Sequence, residues 1–252
     1  MTDIKELLTE FNRYAYGQSL HTAFTDRLDW MLLPFKRYEA ADEQRKALET
    51  YQSHPKVEHL VKLITLIGDL SEGFRDPLGE LFMQAISNGH NGQFSTPTPI
   101  ADMMAMMQMG DVSDGRRIND PACGSGRMLL AAAKLNRSSL LYGADLDITC
   151  CKMSLFNMLL NSLTGEIAHM NTLSNRFYRG FKIDNVLVDG FHMPYYTEFT
   201  EPELSYIWLR PLKVQEVKPK FDKPFEPIRS VQAITGVQGS LFLAIAPGFS
   251  HL

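Results

Sequence analysis

The sequence predicts an α/β protein: a parallel sheet with helices on both faces, preceded by a small helical segment. Three features predict it. Up to about residue 88 the apolar residues recur only at helical spacing, and no strand-like alternation occurs before about Ile118. After that point short apolar runs alternate with helical periods, the rhythm of strands joined by crossover helices. The first of these runs ends in a glycine-containing turn, Cys123-Gly124-Ser125-Gly126, ahead of an apolar helix.

Composition sets the outer bounds. With 252 residues, 44% of them hydrophobic and 21% charged, the chain can bury a sizeable core and is no disordered tract. A net charge of -4 excludes a basic nucleic-acid coat, so any phosphate contact must come from a local patch. The three cysteines, Cys123, Cys150 and Cys151, have no C-x-x-C spacing, which argues against a disulfide framework and a structural zinc site. The start, Met1-Thr2-Asp3-Ile4-Lys5-Glu6, has no apolar core of a signal peptide, and the run Met128–Ala133 is too short to span a membrane. A reducing, cytoplasmic location is the expectation.

Taken in order, Ile4, Leu7, Leu8 and Phe11 trace one helix face, and Val57, Leu60, Val61, Ile64 and Ile67 trace another. Pro34, Pro55, Gly68, Gly73 and Pro77 mark interruptions. Residues 1–88 are therefore expected to form a helical domain and residues 89–252 a second, sheet-containing one. The polar stretch 87–92 reads as a loop. Thr98 then caps a helix with Pro99 in its first position and Ile100, Met103, Met104 and Met107 on its buried face. Packing on a sheet explains these methionines, and so does a pliable binding surface. Arg117–Asn119, Leu140–Ala144, Glu166–His169 and Asn185–Val188 are the expected strands, with helices over Arg127–Leu135 and from Ile148 to Ser162.

Parallel sheets bind ligands at the carboxyl ends of their strands. The loop Asp120-Pro121-Ala122-Cys123-Gly124-Ser125-Gly126 lies at such a place, and Asp145 follows the next strand, where an acid can hold ribose hydroxyls. The loop lacks the third glycine of a dinucleotide fingerprint and the Lys-Ser/Thr of a phosphate loop. A nucleoside joined to an amino acid fits this chemistry better than a pyrophosphate.

These residues carry a family resemblance. The Asp120–Gly126 loop resembles the D-P-A-C-G-S/T-G motif of S-adenosylmethionine (SAM)-dependent N6-adenine DNA methyltransferases, above all the methylation subunits of type I restriction–modification systems. Gly92-Gln93-Phe94-Ser95-Thr96-Pro97 is similar to their G-Q-F-F-T-P segment, Tyr142-Gly143-Ala144-Asp145-Leu146-Asp147 to their G-x-E/D-x-D/N motif, and His169-Met170-Asn171-Thr172-Leu173 to H-G-D/N-T-L. The resemblance implies a Rossmann-like methyltransferase sheet with SAM as cofactor. Phe94, Thr96 and Pro97 would lie at the cofactor, with the Thr-Pro turn at its methionine end. Asp120, Ala122, Cys123, Gly124, Ser125 and Gly126 would form the loop beside it. Asp145 would hold the ribose, Leu146 would pack on the adenine, and Asn171 would contact the adenine amino group.

One motif departs from the family. The D/N-P-P-Y/F sequence that accepts hydrogen bonds from the target adenine amino group and stacks on the flipped base has no intact counterpart. Asp189 stands where its acid would, with Gly190-Phe191 replacing the prolines and His192 the aromatic residue. Asp189 and His192 are the catalytic expectations. Two readings of function follow: adenine-N6 DNA methylation, with DNA and either a specificity subunit or a second copy as partners, or a catalytically inactive SAM-binding or DNA-associated module of the same fold. No metal is expected. Gly239–Gly248 weakly resembles a later strand and turn of the type I subunits. The basic residues between Arg210 and Arg229 suit either DNA phosphates or a solvated face.

Overall fold

The computed structural model describes residues 3–87, 96–109 and 115–211. Phe94, the basic stretch beyond Pro211 and the Gly239–Gly248 segment lie outside these residues.

Five helices come first: α1 (Ile4–Tyr14), α2 (Leu20–Leu32), α3 (Ala41–Gln52), α4 (Val57–Leu70) and α5 (Pro77–Phe82). Asp3 and Ser19 cap α1 and α2 through side-chain oxygens that accept backbone N–H groups. Pro77 opens α5 rather than interrupting a helix: it occupies the first turn, where no intrahelical donor is lost, and Asp76 caps it. Leu7, Phe11, Phe24, Leu28, Leu60, Leu63 and Ile67 are buried together, in the same cluster as the sheet-side residues Leu129, Phe156 and Ile167. Val61, expected on that buried face, is about half exposed, because α4 instead turns Leu63, Leu66 and Leu70 inward. The chain through Arg210 forms one compact unit.

Then follow α6 (Thr98–Met109), β1 (Arg117–Asp120), α7 (Arg127–Leu135), β2 (Leu140–Asp145), α8 (Ile148–Leu160), β3 (Thr164–Asn171), β4 (Arg176–Val188) and β5 (Phe191–Phe199). The sheet runs β1-β2-β3-β4-β5, a mixed α/β sheet flanked by helices. β1, β2 and β3 are parallel; β4 and β5 are antiparallel additions. Right-handed crossovers that advance in one direction place their helices on the same face. Accordingly Leu129 of α7 and Ile167 of β3 meet over Gly143, where an added Cβ would lie 2.9 Å from both. Among the described residues the opposite face is covered by the segment after β5: Ile207 and Trp208 pack on Ala144, Ala168 and Met170. Glu166, buried on β3, accepts hydrogen bonds from Ser205 Oγ (2.5 Å) and the Tyr206 N–H (3.0 Å) to pin that segment.

Two expectations are corrected by this packing. The fourth strand begins at Arg176 and runs antiparallel to β3, since the four residues between them are too few for a parallel crossover. Helix α6 buries Ala101, Ala105 and Met109, packing the two alanines on Ala131 of α7. This close small-residue contact leaves Ile100, Met103, Met104 and Met107 exposed.

Candidate functional site

Strands β1, β2 and β3 end at one edge, and the motif residues gather there. Asp120 closes β1, pairing with Gly143, and Asp145 closes β2, pairing with His169. Between β1 and α7 the chain makes a tight turn in which Gly124 and Gly126 both adopt positive φ. The Gly124 N–H donates to Asp145 Oδ2 at 2.9 Å, and the Asp147 N–H donates to Oδ1 at 2.9 Å, so Asp145 ties the glycine turn to the start of α8. The other pole of the turn is fixed by Gly126, where a Cβ would come within 2.5 Å of Ser154 Oγ.

An open cleft of about 290 Å³ lies at this edge. Its wall contains Thr96, Asp120, Ala122, Cys123, Gly124, Ser125 and Asp145, together with Phe82, Met83, Arg127, Met128, Cys150 and Met153. The space before Gly124 is empty to at least 4 Å from an added Cβ, a cradle open to a ligand. Burial raises the Asp120 carboxyl above its usual range; the Ala122 N–H it accepts opposes the rise, and the nearby Asp145 charge adds to it. Burial drives the Cys123 thiol well above its ordinary value, so it is a packing residue and no thiolate nucleophile.

Residues from two further segments complete the edge. Thr172 Oγ1 donates to the Pro121 carbonyl (3.2 Å), which brings the end of β3 against the loop. Asn171 is there too, but its Oδ1 accepts the N–H groups of Leu173 and Ser174 and closes its own turn. Leu146 is exposed at 59%, as a residue free to pack on a ligand would be. His169 Nε2 lies 3.1 Å from the Leu146 carbonyl and steadies the turn after Asp145, which gives this histidine a structural place. Pro97 adjoins Thr96 at the start of α6, where its carbonyl accepts from the Ile100 and Ala101 N–H groups.

Asp189 and His192 are not brought to this cleft. β4 starts at the carboxyl edge, where Arg176 pairs with Asn171, and passes the other edge, where Ile183 pairs with Gly165. Its 13 residues span about 40 Å of strand, leaving Asp189 beyond the amino ends of β1–β3. There Asp189 (φ +50°) and Gly190 (φ +84°) form the two-residue turn joining β4 to β5. Val186, Leu187, Val188, Phe191 and Met193 around it are exposed.

The most connected polar group at the site belongs to none of the motifs named above. Asp76, 3% exposed, accepts the Gly79 N–H (2.8 Å), Asn157 Nδ2 (2.8 Å), Ser125 Oγ (2.5 Å) and Arg127 Nε (3.1 Å), with Arg127 Nη2 at 3.0 Å. Asp76 before Pro77, with Gly79 three residues on, is a helix-start signal that could have marked it.

The model of the N-6 DNA methylase family matches residues 75–205, just over half of the sequence. The chain belongs to the N-6 DNA methylase family. The match begins one residue before Asp76 and spans the whole cleft, the β4–β5 hairpin included. A relative is the type I restriction enzyme MpnII methylase subunit of Mycoplasma pneumoniae, 24% identical over 189 residues; these are 69% of this chain and 34% of that protein. The chain thus spans about a third of the relative's length. Among solved structures, it is similar to a type I restriction–modification methyltransferase subunit from Streptococcus thermophilus (20% identity, TM-score 0.36, covering 68% of this chain and 39% of the other). It is also similar to a putative class I SAM-dependent methyltransferase from Listeria monocytogenes (16% identity, TM-score 0.40, covering 65% and 52%).

Proposed function

We propose that the chain binds S-adenosylmethionine in the carboxyl-edge cleft and serves adenine-N6 methylation of DNA as a type I-like methylation subunit. The observation that carries this reading is the convergence of Thr96, the Asp120–Ser125 loop and Asp145 on one cleft in a member of the N-6 DNA methylase family. When bound, the cofactor supplies a methyl group on a positively charged sulfur. The two acids of the cleft suit such a cation, and the lone pairs that Asp145 keeps beyond its backbone bonds can accept ribose hydroxyls. Gly124 gives the ligand close access to backbone, and Leu146 offers an apolar surface for the adenine ring. Thr96 and Pro97 bound the methionine end, and Phe94 and Asn171 complete the set that the resemblance assigns.

DNA is the proposed substrate, with a specificity subunit or a second copy of the chain completing the assembly. Among the described residues Asp189 lies at the β4–β5 turn, away from the cleft, and this placement is the observation behind a second reading in which the module binds SAM without transferring its methyl group. Incubation with isotope-labelled SAM and mixed-sequence duplex DNA, with and without a co-expressed specificity subunit, separates the two. N6-methyladenine in the DNA is the expected product. Bound SAM with no product in either arm supports the second reading.

A further inference from the structure

Arg127 touches the cleft and is held in place from behind. Its side chain is 12% exposed, lines the cleft beside Thr96, and joins α7 to two segments far apart in sequence, at Asp76 and Thr96. Nε and Nη2 both approach Asp76 Oδ2, at 3.1 and 3.0 Å, while Nη1 donates to the Thr96 carbonyl at 2.9 Å. Asp76 is itself fixed from its other side: Oδ1 accepts the Gly79 N–H and Asn157 Nδ2, and Asn157 Nδ2 also donates to the Ser125 carbonyl at 2.9 Å. No slack exists at this point, because a Cβ on Gly79 would fall 2.1 Å from Asp76 Oδ2 and 2.6 Å from Ser125 Oγ.

A planar guanidinium can rest two nitrogens on a carboxylate and turn a third outward to a carbonyl, whereas an ammonium is a point donor that cannot span both. We infer that Arg127, oriented by Asp76, is a positioning residue that fixes the Thr96 turn as the wall for the amino-acid end of the methyl donor. Asp145 fixes the nucleoside side of the same glycine turn independently, through Gly124. The two halves of the ligand are thereby held by separate devices, one on each side of the loop. Helix α7 keeps its place without Arg127, since Leu129, Leu130 and Ala132 are buried in the main core. This inference rests on the reading of the cleft as a SAM site.

The test compares two ligands on three proteins by calorimetry: wild type, Arg127→Lys and Asp76→Asn, each with SAM and with 5′-methylthioadenosine, which keeps the nucleoside and sulfur but lacks the amino-acid end. Arg127→Lys keeps the charge, and Asp76→Asn keeps an acceptor for the Gly79 N–H; circular dichroism and thermal melts confirm that the compared proteins are folded, and Arg127→Lys alone carries the test if Asp76→Asn is not. Expected is SAM binding weakened about tenfold, with 5′-methylthioadenosine binding within about twofold of wild type, the loss of one charge-assisted hydrogen-bond arrangement. A merely structural role would weaken both ligands in proportion, and that result, or unchanged SAM binding, overturns the inference. Wild-type protein that binds neither ligand overturns the reading of the cleft itself and is distinguished by arising before any variant is made.

Discussion

The two ends of the sheet carry the same sequence signal and do different things with it. At the carboxyl edge Asp120 and Asp145 each end a strand, and hydrogen bonds from the intervening turn draw them into one cleft. At the amino edge Asp189 also follows a strand, yet that strand runs the other way and the acid sits exposed at a hairpin turn. Which edge an acid reaches depends on strand direction, and strand direction depends on how many residues connect the strands. The ends also differ in how they treat burial. The cleft edge is backed by Asp76, a buried carboxylate with a full set of donors, whereas the hairpin end exposes five large apolar side chains.

Three substitutions sharpen this contrast. The largest effect belongs to Asp76→Ala, which leaves Arg127, Asn157 and Ser125 without their shared acceptor. Losing one partner of a buried ion pair costs about 3–5 kcal/mol, and denaturant unfolding should show a loss of that size; a change below about 1 kcal/mol would mean that the network is slack. Midway along the sheet, Glu198 accepts from Lys36 Nζ and Arg179 Nη1, both at 2.8 Å. Burial alone would raise its carboxyl, but the two cations outweigh it and hold it below the ordinary carboxylate range. A carboxyl depressed in the folded state stabilises above its unfolded pKa and loses that contribution as pH falls through the folded value. Glu198→Gln should therefore cost about 1 kcal/mol at pH 7, a figure reduced for the partly exposed partners, and its stability curve should meet that of wild type in acid. Curves that stay parallel down through the acid range would refute the pairing. The smallest effect is expected at the far end: Asp189→Gly suits the positive φ and should change stability by no more than about 0.5 kcal/mol, with SAM affinity unchanged. A clear loss of SAM binding in this variant would put Asp189 at the cleft after all.

The strand–glycine turn–helix unit was legible because its signals are local: an apolar run, a turn needing positive φ at Gly124 and Gly126, and an acid at the next strand end. The helical start of the chain was legible from periodicity alone. Three features were not. Asp189-Gly190 is a strong hairpin signal, but the same aspartate also stands where the family motif has its acid, so the local sequence fits both a turn and a site. The methionines of α6 look like a buried face by hydrophobicity, yet Ala101 and Ala105 win that face because small residues let α6 approach Ala131 closely. Asp76 is marked locally only as a helix start, because its partners, Ser125, Arg127 and Asn157, lie some 50 to 80 residues away and only the fold unites them.

Whether the methyl donor enters where the three parallel strands stop is decided most directly by titrating the wild-type chain and Asp145→Ala with S-adenosylmethionine in a calorimeter. Micromolar binding by the former, weakened about a hundredfold when both the carboxylate and its hold on Gly124 are gone, is the predicted pair of isotherms. A wild-type protein that releases no heat of binding, or an alanine variant that binds as tightly as its parent, would contradict it.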